Sequence, residues 1–161
     1  TGTLYANKVN AGTIDPVYEI NNKKYATYGL SMTGIKEETT GIIKLKAQNG
    51  KILNVIDFNK AKEGSDLWIF YQITDFGRNW ENLVVILTGS FDGKVWYEKL
   101  PKEQKLVIYG DKEGEVSYRL TAPRFDWQNW PNEVSPSEKG MKVEPKNQSN
   151  ILGKFIKLVK N

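Results

Sequence analysis

The side chains able to do chemistry are few in kind. Cysteine and histidine are absent from the sequence. Without Cys there are no disulfides, thiolate metal sites, iron–sulfur clusters or thiol nucleophiles. Without His, the commonest general base and the commonest zinc ligand are missing, and Ser-His-Asp catalysis is ruled out. Carboxylates remain, and a glycosidase needs only two of them at a suitable separation. Asp75, Glu81, Asp92 and Asp126 are available, but no spacing singles out a pair. The balance therefore falls against an enzyme. Asp111, Glu113 and Glu115 alternate around Gly114 in an acidic turn. Oxygen-rich turns can hold Ca2+, although this spacing does not match an EF-hand loop. A solvated turn is the plainer reading, so no cofactor is expected and Ca2+ is the only candidate. Gly29, Gly34 and Gly41 are too far apart to cradle a phosphate.

The second chemical resource is aromatic. Aromatic residues make up 12% of the chain, with five Trp and eight Tyr. Trp80, Trp127 and Trp130 lie in or beside polar loops. A sugar ring presents an apolar C–H face that stacks on a flat indole, with amides and carboxylates serving its hydroxyls. Gln128 and Asn129 stand between Trp127 and Trp130, and Asp126 immediately precedes them. The competing reading is that these indoles fold back to close an open end of the domain. Trp68 lies inside an apolar run and is expected in the core. Trp96 and Tyr97 are adjacent on a strand, where alternation sends one of the two outward. Asn147-Gln148-Ser149 is a glycosylation sequon, a triplet common by chance.

Charge narrows the partners. The net charge is +4, yet residues from Lys139 onward hold six Lys and one Glu, leaving −1 on the rest. Arg occurs only at positions 78, 119 and 124. Nucleic-acid binders show a basic face with interleaved aromatics. Here the basicity is a tail of lysines that solubilise a terminal segment and deter edge-to-edge pairing. No nucleic-acid partner is expected. No apolar run approaches the ~20 residues of a membrane span. The first residues carry no basic-then-apolar leader, so any signal peptide is expected to have been removed.

The elements that must hold these groups read as strands. A chain of 161 residues is one domain, or a domain with an arm. Residues 1–15 are small, polar and weakly alternating, too poor in apolar groups to fold alone. They form an N-terminal arm, and 16–161 a single domain. Two strand-like runs flank Asn21-Asn22 within Val17–Tyr28. Asn49-Gly50 joins Gly41–Ala47 to Lys51–Phe58 and predicts a type I′ hairpin. The continuous apolar runs Leu67–Ile73 and Leu83–Leu87 predict central strands buried on both faces. Lys94–Leu100, Lys105–Tyr109 and Glu115–Thr121 add three more, with a turn at Pro101 and an acidic turn at Gly110–Gly114. Pro123–Pro145 is a long polar connection, the kind that carries function or packs as a closed loop. Ile151–Asn161 fits a helical face or a strand, and a closing strand is favoured because nothing else reads as helical. Eight to ten strands without a repeat predict an all-β fold, an antiparallel two-sheet sandwich or jelly roll.

A resemblance enters on particular stretches. The opening TGTLYANKVNAGTIDPVYEINNKKYATYG, with GIKEETTG and EVSYRLTAPRFDW, resembles β-rich domains of large bacterial surface proteins. The TGTLYANKVNAGTI arm is similar to stalk-to-head junctions of fibrous surface and phage-tail-like proteins. The resemblance implies an extracellular or cell-surface location and a structural or adhesive role, and brings no catalytic residues. The architecture separately resembles carbohydrate-binding modules.

The sequence thus supports first a non-enzymatic surface or filament-forming subunit. Its arm would add a strand to a neighbouring subunit, with Tyr5, Val9, Ala11 and Ile14 inserting. The partner would be a second copy or another surface-protein subunit. The alternative is a carbohydrate-binding module using Trp80, Trp127 and Trp130 with Asp126 and Gln128.

Overall fold

Two asparagine-bearing turns show how local chemistry sets the strand pairs. In the computed structural model, Asn21 and Asn22 both adopt left-handed φ, 53° and 59°. This conformation matches the twist of a two-residue hairpin. It joins β1 (Val17–Ile20) to β2 (Lys23–Ala26), paired antiparallel with Tyr18 opposite Tyr25. Asn49 and Gly50 repeat the device, with φ of 50° and 76°. They join β3 (Lys36–Gln48) to β4 (Lys51–Asp57), as the Asn-Gly pair predicts.

The described residues are Val9, Ile14, 16–27 and 32–137. The chain divides into two compact units, one drawn from Thr1–Leu30 and Val134–Asn161, the other from Ser31–Glu133. The first contains the β1–β2 hairpin, in which every strand residue is exposed. Val9 and Ile14 of the arm are exposed as well. Tyr5, Ala11, the sequon and Ile151–Asn161 lie outside the described residues.

Unit Ser31–Glu133 adds α1 (Asp66–Ile73), β5 (Val84–Gly89), β6 (Val95–Leu100), β7 (Lys105–Gly110) and β8 (Gly114–Pro123). Six strands form one antiparallel sheet in the order β5-β8-β3-β4-β7-β6. The fold is thus mostly β and its sheet antiparallel, with one helix that an all-β reading did not include. The long β3 links the two halves. Its residues Lys36–Leu45 pair with β8, and Lys46–Gln48 pair with β4. Short connections carry the chain from one end of the strand order to the other, since β5 and β6 are not paired with each other. The acidic turn likewise leads from β7 to β8 without pairing them. The sheet therefore curls into a near-barrel.

Alternation places the core. In β8, Val116, Leu120 and Ala122 are buried, with Tyr118 half-buried between them. Leu45 of β3, Ile56 of β4, and Leu106 and Ile108 of β7 meet them. Gly41 sits opposite Tyr118, and a Cβ there would collide with the tyrosine ring. Only glycine allows that ring to lie across the strand.

Two apolar runs depart from expectation. Leu67–Ile73 is not a central strand but most of helix α1. Ser65 accepts a hydrogen bond from the Trp68 N–H, and Asp66 stands in the first turn, so the start is capped. Leu67, Phe70 and Tyr71 then share one face and pack on the core. Trp68 consequently lies off that face and is only half-buried. The Leu83–Leu87 run falls on β5, an end strand of the sheet order and not a central one. Leu83, Val85 and Leu87 face the core, whereas Val84 and Ile86 are exposed.

Candidate functional site

The start of the polar connection after β8 is held by backbone bonds to two other segments. The Arg124 N–H donates to the Ile35 carbonyl and the Phe125 N–H to that of Ile73. A short 3-10 turn over Trp127–Asn129 follows, closed by the Trp130 N–H donating to the Trp127 carbonyl. Three residues per turn separate Trp127 and Trp130 by one turn, so the indoles fall on the same side of the segment.

Carboxylates then pin both rings. The Trp130 Nε1–H donates to Asp126 Oδ2 at 2.9 Å, and the Trp127 Nε1–H to Asp75 Oδ2 at 3.3 Å. Asp126 is itself gripped by Arg124, through Nε to Oδ1 at 2.5 Å and Nη2 to Oδ2 at 3.0 Å. Such a bidentate pair fixes angle as well as distance. The Arg124 guanidinium also lies over the Trp130 ring, 5.4 Å from its centroid. Hydrogen bonds from Arg124, then from Trp130, hold the Asp126 carboxyl below the usual carboxylate range. The Arg124 pKa moves up in return, chiefly through its hydrogen bond to Asp126.

The pinned indoles border a groove of about 470 Å3. Its walls include Thr33, Lys36, Trp127, Gln128, Trp130 and Asn132. Trp127 is 40% exposed and Trp130 38%. Their N–H groups are already engaged, so what they offer a ligand is ring face. Gln128 and Asn132 supply amides that donate and accept, Thr33 a hydroxyl and Lys36 an ammonium. Flat apolar surface ringed by such groups suits a polyhydroxylated ligand.

The sequence-derived candidates thus separate. Trp127, Trp130, Asp126 and Gln128 belong to one loop. Asp126 acts as the clamp of Arg124 and Trp130 and does not border the groove. Trp80 does not join them. It is 6% exposed and packs edge-on against Phe58 and Phe76, at centroid distances of 5.7 and 5.3 Å. A ring enclosed in this way cannot stack on a sugar. Sequence reading did not anticipate Asn132, two residues beyond Trp130, or Thr33 and Lys36, which reach the groove from a remote segment. The pairing of Asp75 with Trp127, across 52 positions, leaves no local sequence signal.

The carboxylates of the acidic turn work singly. Asp111 Oδ1 accepts from the Lys94 N–H, Glu113 Oε1 from the Ala47 N–H, and Glu115 pairs with Lys44. Among the described residues no three His, Cys, Asp or Glu side chains converge to hold a metal ion. Of the other carboxylates considered for acid–base work, Asp75 serves Trp127, while Glu81 lies in the 3-10 turn over Trp80–Asn82. No helix of the described residues is long and apolar enough to cross a membrane. Comparison with protein-family models, with curated proteins and with solved structures yields no match to this chain.

Proposed function

We propose that Ser31–Glu133 is a glycan-binding module of an extracellular surface or fibre protein. The observation that carries this reading is the pinned indole pair. Two exposed Trp rings border one groove with their N–H groups held by carboxylates, alongside amide, hydroxyl and ammonium groups. Rings fixed before the ligand arrives lose little freedom on binding, which favours affinity. The two halves of the curled sheet, β5-β8-β3 and β4-β7-β6, serve as the layers of a sandwich or jelly roll and present the loop at one end. The depressed Asp126 carboxyl is unsuited to act as a general acid, which needs a raised pKa. A printed glycan array probed with the full chain tests the reading. Binding to a defined glycan class, lost in Trp127→Ala and Trp130→Ala, is the expected result.

A second reading rests on a different observation. The β1–β2 hairpin leaves Val17, Tyr18, Ile20 and Tyr25 at least half exposed. An isolated hairpin is at best marginally stable in water. Those side chains, with the arm residues Tyr5, Val9, Ala11 and Ile14, supply an assembly surface for a second copy or another surface subunit. Deleting residues 1–14 is expected to lower the assembly state measured by light scattering. Unchanged mass and unchanged thermal stability would remove this reading.

A further inference from the structure

The outer face of β4, β7 and β6 carries an arrangement that the end groove does not use. Trp96 of β6 lies directly opposite Tyr109 of β7. Their rings are nearly parallel, 14° apart, with centroids separated by 5.8 Å. Strand β4 flanks β7 on the other side, and from it Lys51 places its ammonium 5.9 Å from the Tyr109 centroid. Tyr109 is thus enclosed between a cation and an indole. The Tyr109 hydroxyl donates to Glu98 Oε2 at 3.0 Å, which fixes the ring in its plane. Trp96 completes the row on the last strand of the sheet order, with 49% of its surface exposed.

These residues border a groove of about 610 Å3, with Lys51, Glu98 and Asp111 at its edges. Glu98 and Asp111 each commit one oxygen within the fold, to Tyr109 and to the Lys94 N–H. The other oxygen of each can accept from a ligand, and Lys51 can donate to one. An aromatic floor with two acceptors and one donor at its rim matches the amphipathic surface of a pyranose ring. Its C–H face meets the indole, and its hydroxyls meet the charged rim. Purely apolar ligands would leave three charged groups desolvated without partners, which disfavours them.

We infer that Trp96, supported by Tyr109 and Lys51, is the floor of a second sugar-binding subsite. It makes the module bivalent toward a polymeric glycan. This inference rests on the glycan-binding reading above. Two subsites on one compact unit turn the second binding event into an intramolecular one, so the gain appears with long chains and vanishes with short ones.

The test uses the full chain and the glycan identified on the array, as the polymer and as its di- and trisaccharide. Trp96→Ala is expected to weaken binding of the polymer by about tenfold or more. It should leave the short-oligosaccharide binding that depends on Trp127 and Trp130 unchanged. In the unsubstituted chain, saturating polymer should protect Trp96 from N-bromosuccinimide oxidation, read by peptide mass spectrometry. Buried Trp80 provides the internal reference, and this measurement needs no folded variant. Polymer binding at full strength in Trp96→Ala, or no protection of Trp96, would overturn the second subsite and leave the end groove standing. Binding that survives loss of both Trp127 and Trp130 but not of Trp96 would support the subsite and remove the end groove. Absence of binding to any arrayed glycan would remove both.

Discussion

Trp80 and Trp130 carry the same side chain to opposite ends. Trp80 is buried between Phe58 and Phe76, and its indole N–H has no partner among the described residues. Trp130 is partly exposed at the surface, and its N–H donates to Asp126 at 2.9 Å. Trp127 does likewise toward Asp75. Burial of a large aromatic outweighs one unmade hydrogen bond, because packing and apolar transfer over such a ring exceed a bond's net worth. At the surface the energetic need for a partner is small. The effect of the bond there is orientation. The core indole is held by shape, and the loop indoles are held by chemistry.

Substitutions can break this contrast. The largest effect is expected at Phe76, fully buried and in contact with Phe58, Phe70 and Trp80. Phe76→Ala should destabilise by about 3–5 kcal/mol, the range for emptying an aromatic site in a core. Urea denaturation followed by far-UV circular dichroism measures it, and a loss under about 1 kcal/mol would contradict a closely packed cluster. Next in size is the helix cap. Ser65→Ala removes the acceptor for the Trp68 N–H and should lower stability by about 1 kcal/mol in the same assay.

The loop should behave otherwise. Trp127→Ala is expected to change global stability by only about 0.5 kcal/mol, the scale of ordinary surface changes. Thermal denaturation checks this. The smallest effect is expected from Asp126→Asn, and it is one of pH. The Asp126 carboxyl is held below its ordinary range, so its contribution to loop order is fully present above the unfolded value of about 4. That contribution fades as pH falls through the lower, folded-state value. Near-UV circular dichroism of the unsubstituted chain should therefore still show the ordered indoles at pH 4 and lose that signal only below it. Asp126→Asn should lack this acid transition. An identical transition in both proteins would show that another carboxylate controls the loop.

Local signals in the sequence were sound where one chemistry dominates. Asn21-Asn22 and Asn49-Gly50 specify their turns because few residues tolerate left-handed φ. The period of two in β8 announces its buried face. Leu67–Ile73 misleads because a short run of apolar residues carries both periods at once. The deciding signal was Ser65-Asp66 ahead of it, a capped start that a strand does not need. The loop was legible as an aromatic cluster with polar neighbours. What could not be read was the assignment of Asp75 to Trp127 and the arrival of Thr33 and Lys36 at the groove. Those depend on Arg124 and Phe125 bonding to Ile35 and Ile73, contacts between segments far apart in the chain.

The central claim is that the exposed indoles serve a ligand and the buried one serves the fold. It is tested most directly by measuring glycan binding and thermal stability together in the Trp127→Ala, Trp130→Ala double variant. A melting temperature close to that of the unsubstituted chain, with short-oligosaccharide binding abolished, is the expected result. A collapsed melting temperature, or binding kept at full strength, would contradict it.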